Sequence, residues 1–154
     1  MSDVILLAPA PLVHLESAGK TLAEQGKVAF GSRAWEVFQK LDQERAGSPV
    51  VAYLYASWDR TTNRLEATWR ARYIGQVESR GGAHPDGMRF RPDSTSQSAT
   101  DNQGHWAIFW EIDQLDRLEG DKRIPFTRFC SYGTGKAFKP NFIPEGPLLV
   151  SLRP

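Results

Sequence analysis

Short runs in which apolar residues are continuous, or alternate with polar ones, recur along the chain and predict β-strands. Four such runs are rich in the β-branched and aromatic residues that favour strands. They cover residues 4–8, 50–56, 65–77 and 106–112, and two shorter candidates cover residues 126–129 and 148–152. The third run is long for one strand, and we expect it to bend near Gly75. The pattern therefore predicts a protein with many strands.

Helical signals are fewer. Thr21 and Glu24 have the spacing of a capping box, which predicts that a short helix begins there and ends at Gly26. Ser32 can cap a second helix that ends near residues 47–49. Three residues of this second helix recur at helical spacing and are predicted to face the core: Trp35, Phe38 and Leu41. A third helical turn is predicted over residues 113–118.

Residues 80–104 contain few apolar side chains and many Gly, Pro, Ser and Thr residues, and we expect them to form a long, flexible loop. The chain has 154 residues, which is about the size of one domain. Two short helices followed by many strands indicate a single α+β domain over residues 1–154. In this domain we expect the helices to pack on a curled sheet or small barrel.

Composition excludes several classes of protein. Hydrophobic residues make up 40% and charged residues 24% of the chain, as in an ordinary globular domain. The single cysteine, Cys130, rules out an internal disulfide and a cysteine-rich zinc module. No apolar stretch approaches the roughly 20 residues of a membrane span, and the N-terminus lacks a signal-peptide pattern. We therefore expect a cytoplasmic protein with no membrane partner.

Charge is balanced overall but uneven along the chain. The net charge of +1 gives no general attraction to nucleic acid. Between residues 122 and 139, however, there are five basic side chains and no acidic one: Lys122, Arg123, Arg128, Lys136 and Lys139. Aromatic residues are interleaved with them, a combination suited to phosphates and stacked bases. An ordinary solvated surface explains the same pattern, so both interpretations stay open.

Five tryptophans are the more unusual feature. Trp69 and Trp110 fall inside predicted strands, and we expect them in the core. Trp58 follows a strand and precedes a polar turn, and Trp106 lies where the long loop re-enters the sheet. Rings at strand ends can line a slot for a planar base. A loop anchor packed on the end of the sheet explains each of these two positions equally well.

Few residues point to catalysis. His14, His84 and His105 match no local metal-ligand spacing, and no cofactor fingerprint is present, so neither a metal nor a cofactor is expected. Cys130 could act as a nucleophile with a remote histidine. A lone cysteine of this kind is more often a small buried apolar residue.

The order of these segments resembles the PUA-like superfamily, especially its EVE and YTH branches. The run Phe30-Gly31-Ser32-Arg33 is similar to the Ala-Trp-x-Gly-x-Arg run that precedes a helix in EVE domains, with Phe30 in place of the usual Trp. Residues 73–78 resemble a Gly-x-Ala/Val-Glu strand of the family, and residues 145–150 resemble the way these domains end. The resemblance covers nearly the whole chain and implies a pseudo-barrel that binds nucleic acid.

The resemblance also implies a site. EVE and YTH domains hold a modified base, flipped out of its strand, in an aromatic-lined pocket. Carried over by position, one wall would consist of Phe30, Gly31, Ser32 and Arg33. The other side would consist of Tyr55, Ser57 and Trp58, with Trp106 as a further candidate. Arg128 and the neighbouring basic residues would face phosphates. The expected function is thus a non-catalytic module that binds single-stranded nucleic acid or a flipped base.

Two other functions remain open at this point. Relatives in the ASCH branch suggest a small enzyme acting on a nucleotide or RNA, for which Cys130, His84 and His105 are the candidate residues. A protein-interaction module, whose long loop orders on a partner, is the third possibility.

Overall fold

The computed structural model describes residues 4–57, 65–97 and 106–153. Within these residues the chain forms two α-helices, α1 (Leu12–Gln25) and α2 (Trp35–Arg45). The strands of the same residues are β1 (Ile5–Ala10), β2 (Val28–Ser32), β3 (Val50–Ala56), β4 (Glu66–Ala67), β5 (Trp69–Glu78), β6 (Ile108–Arg117), β7 (Ile124–Pro125), β8 (Phe129–Ser131) and β9 (Leu148–Leu152). The predicted α+β class is confirmed. Neither described helix is long and apolar enough to cross a bilayer.

Seven of these strands form one sheet in the order β2-β6-β5-β3-β1-β9-β8. Neighbouring strands are antiparallel except for β1 and β3, which are parallel. A parallel pair needs a crossover connection, and the segment α1-β2-α2 supplies it. The strands β4 and β7 form a separate two-stranded ribbon. As a result, β1 lies inside the sheet, between β3 and β9.

Strands that are far apart in the order of the sheet share one interior, an arrangement compatible with a curled sheet. Buried side chains of β1 and β2 belong to the same core cluster as those of β3, β5, β6 and both helices. Within it, the ring of Phe38 lies 5.9 Å from Tyr73 and 5.8 Å from Trp110, and Phe30 lies 4.8 Å from Trp110. We call these four rings the interior stack. Aromatic rings bury about 150–250 Å² each, so this stack contributes much of the core.

The outer face of the sheet carries a second, smaller core. Along β3, Tyr53 and Tyr55 pack on this face, whereas Leu54 packs in the interior. The segment after β6 covers the outer face, and Phe126 from that segment meets the ring of Tyr55 edge-on at 5.0 Å. The alternation of a strand therefore separates Tyr55 from the interior stack.

Helix α1 is longer than the sequence predicted. It begins at Leu12 and ends, as expected, at Gly26, which has a φ of 83°. The predicted capping box of Thr21 and Glu24 is wrong, because both residues lie inside the helix. Thr21 is buried there, and its hydroxyl donates a hydrogen bond to the backbone carbonyl of Arg91 at 3.0 Å. A tertiary contact thus uses the side chain that the local pattern assigned to a cap.

Helix α2 agrees better with the prediction. The predicted cap is wrong, because the residue before the helix is Ala34 and no side chain caps it; the Ser32 hydroxyl instead accepts a hydrogen bond from the backbone N–H of Ala34 at 3.0 Å. Phe38 is buried as expected. The prediction that Trp35 faces the core is wrong, since Trp35 is 48% exposed. It lies in the first turn, one turn before Phe38 and at the edge of the interior.

Two further predictions of local structure are wrong, and one is confirmed. Residues 113–118 are not a helical turn: residues 113–117 belong to β6, where Leu115 pairs with Ala71 of β5. Pairing with a neighbouring strand overrides the local pattern there. The strand predicted at residues 126–129 is a 3₁₀ turn that leads into β8. The expected bend near Gly75 is confirmed by register shifts between β5 and β6 on its N-terminal side.

The described part of the predicted long loop, residues 80–97, packs on the rest of the protein. His84, Arg91 and Thr95 are buried. The hydroxyl of Ser94 lies 2.6 Å from Nδ1 of His14, a residue of α1. This segment therefore forms a wall beside α1 and β2, while residues 98–104 lie outside the described residues.

Candidate functional site

An open cleft lies where β1, β2 and β3 end and β9 begins. Residues 9–11, 31–34 and 145–147 line it, together with Ser57, Trp106 and Trp110. Its volume is 360 Å³, within the range of about 300–1,000 Å³ typical of small-molecule sites. We call it the outer cleft. Strand ends and turns build it, so its shape depends on how the strands of the sheet are arranged.

The ring of Trp106 forms one wall of the outer cleft and rests on the backbone of Gly31. A Cβ atom added at Gly31 would lie 2.6 Å from the Cγ and Cδ2 atoms of the ring, closer than real side chains approach. The backbone N–H of Ala107 donates to the carbonyl of Ser32 at 3.0 Å and fixes the chain next to the ring. The result is an aromatic wall supported by a peptide plane, an arrangement suited to a planar ligand.

The polar groups of the outer cleft include one positive and one negative side chain. Arg33 and Glu145 both line it, and both are exposed. Ser57 adds a hydroxyl, and its backbone N–H donates to the carbonyl of Ala10 at 3.1 Å. A carboxylate repels a free phosphate, whereas a neutral ring with donors and acceptors on its edge can use both charged side chains. The cleft therefore suits a polar planar ligand.

The structure brings together five of the eight residues that the resemblance assigned to a base pocket: Gly31, Ser32, Arg33, Ser57 and Trp106. Phe30 is not among them. It is 4% exposed, its ring belongs to the interior stack, and it lines only the inner cavity described below. Trp58 lies outside the described residues.

Tyr55 also does not reach the outer cleft. It packs against Phe126 on the outer face of the sheet. Its hydroxyl is buried and has no hydrogen-bond partner among the residues that the structure describes. Burial raises the pKa of Tyr55 well above its usual range. The side chain therefore has a packing role, and its hydroxyl carries a desolvation cost.

The five basic residues predicted to face phosphates lie away from the lining of the outer cleft. Arg123 is engaged by Glu66 at 3.6 Å and by Glu119 at 3.9 Å. The carbonyl of Arg128 accepts a hydrogen bond from the N–H of Arg153, beyond the end of β9, whereas the outer cleft adjoins the start of β9. The remaining three are exposed: Lys122, Lys136 and Lys139. Arg33 supplies the positive charge within the described lining of the cleft.

A second, smaller cavity adjoins the outer cleft. The two share residues 9–11, Gly31 and Trp106. This inner cavity has a volume of 60 Å³, and its other lining residues are His14, Phe30, Arg91 and Thr95. Arg91 is 2% exposed and Thr95 is 1% exposed. Sequence reasoning missed both residues, because they lie in a segment that has the composition of a solvated loop.

Sequence reasoning also missed the turns that line the outer cleft. A signal for them exists, since Pro9 and Pro11 interrupt the first apolar run and Gly146-Pro147 precedes the last one. Such residues mark where a chain leaves a strand. The sequence pattern does not show, however, which of these points meet in the folded protein.

One histidine that was a candidate for catalysis, His84, lies in a buried cluster of polar side chains. His84 Nε2 lies 3.4 Å from the carboxylate of Glu111, and its Nδ1 accepts a hydrogen bond from the backbone N–H of Asp86. Lys27 Nζ lies 3.1 Å from the same carboxylate. This buried cluster joins the loop after β5 to β6 and to the residue before β2. It is separate from the described lining of the outer cleft.

The other candidates for catalysis do not assemble with His84. The Sγ atom of Cys130 lies 3.1 Å from the hydroxyl of Ser151, between β8 and β9. His105 lies outside the described residues. Within residues 4–57, 65–97 and 106–153, no group of three or more His, Cys, Asp or Glu side chains has the arrangement of a metal site.

Comparison with known proteins assigns no function to the chain, so we infer a function from the outer cleft and the inner cavity. No protein-family model matches the chain, and neither a curated protein nor a solved structure matches it significantly.

Proposed function

We propose that this protein is a nucleic-acid-binding module that takes a single base into the outer cleft, and that its curled sheet has PUA-like architecture closest to the EVE branch. The outer cleft is the observation that carries the proposal. Its wall is a tryptophan ring supported by Gly31, and its rim holds Arg33 and Glu145. A nucleobase is planar, bears donors and acceptors on its edge, and is attached to phosphates. Each of these properties has a partner in the cleft.

The energetics favour a single-stranded ligand. Stacking of a base on an aromatic side chain contributes about 1–3 kcal/mol. Taking a base out of a duplex costs a few kcal/mol, and this cost is smallest when the base is already unpaired. The lining contains Trp106 and Trp110, but Trp110 is 1% exposed and packed against other rings, so Trp106 is the ring on which a base would stack. Stacking on this one ring would not offset a full unstacking cost. A single strand avoids that cost.

The basic side chains suggest how a bound nucleic-acid strand would lie. Arg33 is exposed beside Ala34 at the start of α2, where it can meet a phosphate next to the bound base. The basic residues 122–139 are not part of the lining, so in this proposal they provide long-range attraction. Salt screens such attraction over about 8–10 Å at physiological ionic strength.

A salt titration tests the proposal. Labelled single-stranded RNA and DNA of mixed sequence would be titrated with the protein from about 50 to about 200 mM salt, and binding followed by fluorescence anisotropy. Affinity should fall steeply with salt, because bound phosphates release counterions. Failure of both nucleic acids to bind at the lowest salt concentration would contradict the proposal.

A matched pair of arginine variants locates the binding site. Arg33→Gln should weaken binding to all sequences and lower the salt slope by about one, as expected for loss of one phosphate contact. Arg128→Gln removes an equally exposed arginine at the other end of β9 and should have a smaller effect. Equal effects of the two substitutions would place the nucleic acid outside the cleft.

A further inference from the structure

We propose that the inner cavity is a second compartment of the same site and holds a small, negatively charged or strongly polarised group that accepts hydrogen bonds, such as a carboxylate. The inner cavity and the outer cleft adjoin at Trp106 and Gly31, and residues 9–11 line both. A substituent on a ligand in the outer cleft is therefore next to the inner cavity. The inference rests on the proposed function only where that substituent belongs to a nucleobase.

The chemistry of the wall selects the kind of group. Arg91, His14 and Thr95 line it. The Thr95 hydroxyl already donates to the carbonyl of Pro92 at 2.6 Å, so the guanidinium and the imidazole are the candidate donors. None of the described lining residues is an Asp or a Glu. The outer cleft differs, since Glu145 lies in its lining. A cavity walled by a cation and polar groups without a carboxylate favours an acceptor with negative charge over a cation or an amino group.

Arg91 is held in place before any ligand arrives. Its Nη1 donates to the carbonyl of Ala29 at 3.2 Å, and its guanidinium lies 4.8 Å from the centre of the Phe109 ring. Its own carbonyl accepts the hydrogen bond from Thr21 described above. An arginine fixed in this way loses little conformational freedom on binding, so more of the interaction energy appears as affinity.

The opposite wall is also supported. The Nδ1 atom of His14 lies 2.6 Å from the hydroxyl of Ser94, which lies 2.8 Å from the hydroxyl of Ser17. These contacts connect α1 to the turn that carries Thr95. The cavity is thus bounded by two elements that are tied to each other as well as to the sheet.

Size limits the occupant. In liquid water each molecule takes up about 30 Å³, so a cavity of 60 Å³ has room for about two waters or for a group of a few heavy atoms. A carboxylate or a carbonyl fits this space. A whole base does not, and we assign the base to the outer cleft.

Formate, the smallest carboxylate, tests the cavity without nucleic acid. The indole N–H signal of Trp106 in a ¹H–¹⁵N spectrum of the full chain is the reporter, and the signal of Trp69 is the internal control. With formate added at constant ionic strength, the Trp106 signal should move along a saturable curve while the Trp69 signal stays in place. A Trp106 signal that does not move, or moves only in proportion to formate together with Trp69, overturns the proposal.

Substitution of the buried arginine identifies the group that binds formate. Arg91→Met keeps an unbranched side chain against Phe109 but removes the charge, and should weaken formate binding at least tenfold. Arg89→Met is the matched control, because Arg89 is an exposed neighbour whose guanidinium lies 4.9 Å from the Phe90 ring. Unchanged formate binding in a folded Arg91→Met variant contradicts the assignment. If that variant does not fold, the wild-type titration still decides.

A second experiment asks whether the occupant can be part of a base. Two single-stranded oligonucleotides would carry, at one position, either 5-carboxyuracil or thymine. We expect the wild-type protein to bind the carboxylated strand at least tenfold more tightly, and the Arg91→Met variant to bind both alike. Equal affinities of the wild-type protein for the two strands would show that a base in the outer cleft does not place its substituent in the inner cavity. If neither strand binds but formate does, the proposed function fails and the anion site stands.

Discussion

Trp110 and Trp106 lie four residues apart in the chain and both line the outer cleft, yet their rings have different surroundings. Trp110 is 1% exposed and packs against Phe30 and Phe38 in the interior stack. Trp106 is half-buried, and its ring rests on the backbone of Gly31 at the edge of the outer cleft. A ring enclosed by other rings stabilises the fold, whereas a ring supported by a peptide and open on another side can meet a ligand. The neighbours of a tryptophan, and not its residue type, separate the two roles.

The largest expected effect concerns the interior stack. Trp110→Ala removes a ring that two aromatic neighbours enclose, so we expect it to lower the free energy of unfolding by about 3–5 kcal/mol. Urea denaturation followed by circular dichroism measures this loss. A decrease below about 1 kcal/mol would show that the interior tolerates the loss of its central ring, and the contrast with Trp106 would disappear.

Gly31→Ala tests the contact between the peptide and the Trp106 ring. The new Cβ would lie 2.6 Å from the ring and force it away, at a cost typical of overpacking, about 1–3 kcal/mol. Nucleic-acid affinity should fall as well, because the wall of the cleft moves. Gly19→Ala is the control: nothing lies within 4 Å of that position in α1, and the exchange should stabilise the helix by about 0.5–1 kcal/mol. Thermal melts and anisotropy titrations of both variants give the comparison.

Trp106→Ala should affect binding more than stability. Loss of one stacking platform corresponds to about 1–3 kcal/mol of binding free energy, or roughly a 5- to 150-fold weaker affinity. The half-buried ring should contribute less to the unfolding free energy than Trp110 does. Binding titrations and denaturation of the same preparation separate the two quantities. A large stability loss with unchanged affinity would reverse the roles proposed for the two tryptophans.

The smallest expected effect lies on the outer face of the sheet. Tyr55→Phe removes a buried hydroxyl without a partner among the described residues, so unfolding free energy at neutral pH should stay level or rise by about 1 kcal/mol, with affinity unchanged. The raised pKa of Tyr55 means that the unfolded chain ionises first. The contribution that the bound proton of Tyr55 makes to the free energy of unfolding is fully present below about pH 10 and is lost progressively as the pH rises above it. The variant should therefore lose less stability than wild type between about pH 10 and 11.

Much of the fold could be predicted from the local sequence pattern, but the side of a strand or helix on which each residue lies could not. The bounds of β3 and β9 follow from apolar runs bordered by Pro and Gly residues, and both agree with the structure. Residues 113–118 were assigned to a helical turn, because their strand character depends on pairing with β5. Trp35 has the same helical spacing as Phe38 but lies at the edge of the core and is exposed. Spacing alone does not show where the core ends.

The candidate site shows the same limit. Gly31, Ser32 and Arg33 were identified because a motif lies just before α2, where backbone and side chains adjoin the cleft. Phe30 and Tyr55 were assigned to the outer cleft on residue type, but Phe30 packs in the interior and lines only the inner cavity, and Tyr55 packs on the outer face of the sheet. Nothing in the local sequence pattern indicated a role for Arg91. Its importance depends on packing between a loop and β2, which joins residues about 60 positions apart and leaves no local pattern.

The position of β1 has a consequence for how the chain acquires its structure during synthesis. One neighbour of β1 is β3, which leaves the ribosome soon afterwards, whereas the other is β9, where Val150 pairs with Ile5. Until β9 emerges, one edge of β1 presents unpaired N–H and C=O groups beside apolar side chains, the kind of template that promotes association between nascent chains. The interval between the first strand and its last partner is thus the period in which this protein most needs a chaperone.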